Sequence, residues 1–136
     1  MSRSYEDIQA AKASLSQSPT QQAAAVESYP PGYITGLRLS IDEHGQAVCG
    51  VGAANVAGRS IHLAVSYTLG AVDWNVARVF GMFYFVYVDS GGAFHVDSIE
   101  PVYETTYFAY YHPVMSTWRN IGGLFIALTT GLVLYF

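Results

Sequence analysis

From residue 33 onward, apolar side chains recur at every second position in short runs punctuated by Gly, Pro, Asp and Asn. A period of two is the mark of strands that bury one face. The strongest run is 79–96, VFGMFYFVYVDSGGAFHV. Residues 79–88 are rich in β-branched and aromatic side chains, which suit a pleated, buried surface. Asp89-Ser90-Gly91-Gly92 supplies turn chemistry, with one side chain that bonds locally and two glycines free to take φ > 0. The return strand begins at Ala93. On the outgoing strand Gly81, Phe83, Phe85 and Tyr87 face one way, and Met82, Tyr84, Val86 and Val88 the other. Both faces are apolar, so this strand needs cover on both sides.

The other runs predict further strands. Residues 33–41 alternate, and Asp42-Glu43-His44-Gly45 reads as a hairpin loop with glycine at the left-handed position. Residues 46–53 return, and Gly50 and Gly52 point to a bulge or a close approach of two backbones. A third strand covers 60–69, and 70–75 is a loop holding Trp74. Glu100-Pro101 breaks the central hairpin. Residues 103–112 read as one strand, with Tyr103, Tyr107 and Tyr111 on one side, stopped by Pro113. Residues 115–119 form a short strand or turn, and 123–129 and 131–136 are the last two strands. Seven or eight antiparallel strands at this spacing predict an all-β fold over 32–136. A small closed or nearly closed barrel, Greek-key or up-and-down, is preferred because closure hides the edge of an apolar final strand.

Residues 1–31 have a different pattern. Ser4 is a predicted N-cap with Glu6 and Asp7 in the first turn, and Tyr5, Ile8 and Leu15 share a thin apolar face. Ser18-Pro19-Thr20-Gln21 is a second helix start, and Tyr29-Pro30-Pro31-Gly32 a stiff connector. The expectation is a partly helical arm ahead of the barrel, against the alternative of a disordered polar tail.

Composition narrows the partners. Only 12% of residues are charged, the net charge is −4, and there are eleven Tyr and seven Phe. No concentrated cationic face exists for nucleic acid. The single Cys49 excludes an intramolecular disulfide. The first residues have no apolar central run and include Glu6, Asp7 and Lys12, so they do not read as a signal peptide. As written, the chain reads as cytoplasmic, or as a mature form that lost a leader. Residues 121–136 are uncharged but shorter than the roughly 20 apolar residues of a spanning helix, and glycines interrupt them.

Candidate chemistry is sparse. His44, His62, His95 and His112 lack ligand-like spacing, so neither a metal nor a cofactor is expected. Cys49 could act as a nucleophile beside a histidine, against its reading as an inert core thiol. Glu100 and Glu104 could form an acid pair, against two exposed acids. Arg78, Tyr103, Tyr107, Tyr111, Trp118 and Arg119 are candidates for a barrel mouth that orients a hydrophobic, carbonyl-bearing ligand. Against that, the tyrosines can pack with rings inward and hydroxyls at the rim. Met82, Tyr84, Val86 and Val88, with Tyr5, Ile8 and Leu15 of the arm, are the candidate contact surface. They predict a homo-oligomer or a subunit of a larger assembly, with a membrane surface as a further possible partner.

Three stretches resemble the virulence-associated (Vap) proteins of rhodococci, which are eight-stranded antiparallel barrels behind a variable N-terminal segment. They are Gly32-Tyr33-Ile34-Thr35, the hairpin Phe83-Tyr84-Phe85-Val86-Tyr87-Val88 with its glycine turn before Phe94, and Thr130-Gly131-Leu132-Val133-Leu134-Tyr135-Phe136. The chain departs from that family in its cysteine, its Ala/Gln-rich leader and the missing secretion signal. The resemblance implies a non-enzymatic barrel acting on host membranes or partners, with no catalytic residues. The leading expectation is therefore a binding or assembly protein. The rival is a ligand-enclosing barrel, such as a small cyclase acting on a hydrophobic, polyketide-like substrate.

Overall fold

A computed structural model describes residues 28–127 and 131–134, and among these the chain is all-β with antiparallel ladders. The first three predicted strands are each bent in two. The strand expected over 33–41 becomes β1 (Ile34–Gly36) and β2 (Leu39–Ile41), that over 46–53 becomes β3 (Ala47–Cys49) and a longer β4 (Gly52–Val56), and that over 60–69 becomes β5 (Arg59–Leu63) and β6 (Tyr67–Thr68). One half of each joins a sheet ordered β1-β4-β5, and the other half joins a sheet ordered β2-β3-β6. The six short strands are thus one meander folded along a single crease.

Two backbone hydrogen bonds tie the crease, from Leu37 N–H to Val51 O (3.0 Å) and from Gly50 N–H to Arg38 O (2.9 Å). Glycine is required here. A Cβ at Gly52 would lie 2.2 Å from the Thr35 carbonyl oxygen, and one at Gly36 would lie 2.2 Å from that of Val51. The crease also forces Leu37 into the left-handed region, with φ of 53°. That conformation costs a non-glycine residue about 1–2 kcal/mol. Leu37 is fully buried, and burial of a leucine returns about 1.5–3 kcal/mol, so its own side chain offsets the strain.

The larger sheet contains β7 (Phe83–Asp89), β8 (Phe94–Asp97), β9 (Val102–Glu104), β10 (Ala109–Tyr111), β11 (Trp118–Ala127) and β12 (Gly131–Leu134). Its order is β8-β7-β11-β10-β9, and β12 pairs with the far half of β11. The predicted hairpin is present as β7–β8. Asp89 N–H donates to Ala93 O, and the Asp89 carboxylate accepts from the N–H groups of Gly91 and Ala93. A bulge between Asn120 and Gly122 shifts the register of β11 against β7. The Asn120 amide patches it by donating to Val86 O (3.1 Å) and Gly122 O (3.0 Å). The extra residue switches parity, so the core-side positions are Arg119 before the bulge and Leu124 and Ile126 after it.

Three expectations are corrected. First, among the described residues there is no closed barrel: no ladder joins the three sheets. Strands of two to five residues, broken at the crease, cannot carry pairing continuously around a circumference. Second, the faces of β7 are reversed. Tyr84, Val86 and Val88 pack into the core with Leu37, Cys49, Ala54 and Val56, while Phe83 is 43% exposed. Only Met82 of the expected outward set is at the surface. Third, 103–112 is a hairpin, β9 to β10, closed by a four-residue turn that ends on Phe108 in the left-handed region. Tyr103 therefore opposes Tyr110, not Tyr111's side of the sheet.

Of the predicted arm, Tyr5, Ile8 and Leu15 lie outside the described residues. The connector forms a turn in which Tyr33 N–H donates to Pro30 O across a left-handed Gly32. Residues 121–127 belong to β11, and no described helix is long and apolar enough to cross a membrane.

The crease makes a contrast between two glycines. Gly52→Ala is expected to cost about 2–3 kcal/mol in urea unfolding, because backbone atoms must move. Gly45→Ala, at a left-handed hairpin position with open space around it, is expected to cost about 1 kcal/mol.

Candidate functional site

Trp118 and Arg119 are neighbours on β11 and so point to opposite faces of the sheet. Each is the centre of a polar cluster. Arg119 is buried on the core side. Its Nη1 donates to Tyr33 O (2.8 Å) and Asn55 O (2.9 Å), and its Nη2 to Gly32 O (3.0 Å). Burial pulls the guanidinium below its ordinary pKa, and the nearby Tyr111 hydroxyl acts the other way. No carboxylate faces it among the described residues; carbonyl dipoles satisfy the charge. Asn55 extends the knot, donating to Tyr29 O (2.8 Å) and accepting from Gly58 N–H (3.0 Å). The Tyr111 hydroxyl accepts from Ala57 N–H (2.8 Å). Burial raises that phenol, against the opposing effects of the Ala57 bond and the Arg119 charge.

Above this knot three turns converge, at Gly32, at Ala57-Gly58 and at 105–108. Four residues here are left-handed: Gly32, Ala57, Gly58 and Phe108. Ala57 and Phe108 occupy positions that Gly or Asn would take at less cost. Phe108 is 61% exposed.

On the outer face, Trp118 is sandwiched between two histidines. The His95 ring stacks on it at 3.8 Å and 3°, and His112 meets it edge-on at 5.2 Å. Each histidine holds an aspartate: His95 Nε2 to Asp89 at 2.9 Å, and His112 Nε2 to the buried Asp97 at 3.0 Å. His112 Nδ1 accepts from the N–H groups of Val114 and Met115, so its proton sits on Nε2 and it donates to Asp97. Tyr87 packs beside His112, and its hydroxyl donates to Ile99 O at 2.6 Å. Burial, followed by the charges of Asp97 and Glu100, raises the Tyr87 phenol. The Asp89 carboxyl is raised by burial, but the His95 bond and the N–H donors of Ala93 and Gly91 outweigh this and hold it low.

His95 and His112 share no ligand-like spacing in the sequence, yet both meet Trp118 here. Period two puts His95 and Asp97 on one face of β8, opposite Tyr87 and Phe85 of β7. That pattern was readable. His112 was not, since it reaches the cluster through the β9–β10 hairpin. The six residues proposed for a ligand mouth do not converge. Tyr107, Tyr111 and Arg119 meet below the turns, with Tyr107 and Tyr111 rings 5.4 Å apart. Trp118 and Tyr103 lie on the other face, and Arg78 stacks over Trp74 at 4.7 Å. His44 and His62 are exposed, as are Glu100 and, in part, Glu104. Cys49 is buried, and burial pushes its thiol up to about 11. Among the described residues no group of three or more His, Cys, Asp or Glu could hold a metal ion. Comparison with protein-family models, with curated proteins and with solved structures finds no significant match.

Three measurements check this geometry. Arg119→Met is expected to cost about 2–4 kcal/mol in chemical denaturation, since it orphans the buried Asn55 carbonyl and removes the donor from the part-buried carbonyls of Tyr33 and Gly32. Arg119→Lys should recover part of that, because an ammonium cannot span both strands. The Cys49 thiol should resist an aromatic disulfide reagent at pH 8 until the chain is unfolded. The lowered Asp89 carboxyl stabilises the fold fully above the ordinary carboxylate range, and that contribution is lost as pH falls through the lowered value. Asp89→Asn should therefore flatten the acid limb of the stability profile while lowering stability at neutral pH.

Proposed function

We propose that the protein is a non-enzymatic β-domain that acts by association, and that an exposed apolar run at the end of its larger sheet is the contact surface. The observation behind this is the run Val79-Phe80-Gly81-Met82-Phe83, five consecutive apolar residues that are all exposed. The run is held in place. The Tyr84 hydroxyl accepts from Val79 N–H and donates to Ala77 O, and Gly81 N–H donates to Ile126 O. Phe83 also packs on Phe125 at 4.7 Å. An open groove of about 360 Å3 runs beside it, lined by Met82, Phe83, Phe85, Ser98 and Glu100. With large apolar side chains presenting roughly 150–250 Å2 when fully exposed, the run offers on the order of 300–400 Å2. That is the size of the functional apolar patches found on soluble proteins.

The polar clusters support association over chemistry. The hydroxyls of Tyr84 and Tyr87, both nitrogens of His112 and the Arg119 fork are each bonded to backbone or to a carboxylate. The rival reading, a barrel enclosing a ligand, would need an open interior; Tyr84, Val86, Val96 and Leu124 fill it here. The reading agrees with the mode of action that the likeness to Vap proteins implies, but it rests on the exposed run.

Phe80→Ser with Met82→Ser removes apolar surface without touching the core. The full chain is expected to sediment as an associating species at micromolar concentration, and the double variant to associate less at an unchanged thermal midpoint. A wild-type chain that stays monomeric, and is not retained by phosphatidylcholine vesicles, would overturn the reading.

A further inference from the structure

We propose that the end of the molecule where three turns meet over Arg119 is a two-fold contact with a second copy of this chain, centred on Phe108. Two independent observations lead there. The first is Phe108 itself. A bulky residue at φ of 53° is strained, and at 61% exposure it recovers little through burial. Leu37 shows the opposite case, in which a strained backbone delivers a fully buried side chain. Strain retained on an exposed aromatic fits a side chain that is displayed for a partner.

The second observation is charge. The turns at Ala57-Gly58 and 105–108 lie side by side: a Cβ on Gly58 would sit 3.9 Å from the Tyr107 ring, and Ala57 N–H donates to the Tyr111 hydroxyl. One turn leads into Arg59, which is exposed, and the other leaves from Glu104. Neither makes an ion pair among the described residues. The two adjoining turns, one of which carries the exposed Phe108, therefore bring one charge of each sign to this end: Arg59 exposed, and Glu104 half-buried with its carboxylate accepting from Thr106 N–H. A two-fold axis near Phe108 sets Arg59 of each copy against Glu104 of the other, and such self-complementarity is what an isologous contact requires. Arg119 ties the Gly32 turn and the strand leading into the Ala57-Gly58 turn, and the Tyr111 hydroxyl ties Ala57, which limits the ordering cost of association for those two turns.

This contact is distinct from the apolar run 79–83, so it is tested in the Phe80→Ser, Met82→Ser background, where the earlier reading no longer contributes. The background protein is expected to sediment as a dimer at micromolar concentration. Arg59→Glu and Glu104→Arg should each weaken the dimer about tenfold or more through like-charge opposition. The two reversals combined should restore it. Phe108→Gly should weaken the dimer by a similar factor while raising the thermal midpoint, because glycine relieves the strain. A monomeric background protein, single reversals without effect, or a double reversal that fails to restore association would each overturn the proposal.

Discussion

The buried Arg119 guanidinium is the constraint on which the arrangement of sheets depends. Its three donors reach carbonyls of the connector, of the residue before β1 and of β4, so one side chain on the larger sheet fixes the start of the meander. Removing a charge from water is costly, and among the described residues three backbone carbonyls compensate it. A planar fork with divergent N–H groups suits two strands at once, which a point charge does not. Asn55 and Tyr111 then propagate the order from the guanidinium to the adjoining turns.

Below that constraint, the two faces of the larger sheet have different characters along its length. Near Trp118 the outer face is closed by aromatic and imidazole rings, with each aspartate matched to a histidine. Toward Phe83 it is apolar and part-exposed. The polar groups around Trp118 are thus engaged in internal ties, whereas the Phe83 end presents apolar area.

Much of this was legible in the sequence, and the failures have physical causes. The β7–β8 hairpin was readable because alternation and turn chemistry agree over many residues. The close approach at Gly52 was readable because glycine in a strand seldom has another reason. The crease was not, since bending leaves the alternation of 33–41 and 60–69 nearly intact, and Leu37 gives no local warning of φ > 0. The two faces of β7 are equally apolar, so pattern alone could not decide which one the meander covers. The bulge beyond Asn120 was hidden for a similar reason: a single inserted residue in an uncharged run leaves no trace in polarity.

The position of β11 has a consequence for synthesis. It pairs with β7, β10 and β12, so it is the spine of the larger sheet, yet it lies at residues 118–127. The Arg119 tie to Gly32 spans 87 residues. A nascent chain therefore holds the β7–β8 hairpin and the meander without the strand that unites them until β11 has left the ribosome. During that interval the edge of β7 that β11 will pair is unfilled, and an unpaired edge beside apolar side chains is the kind of transient surface through which incomplete chains aggregate.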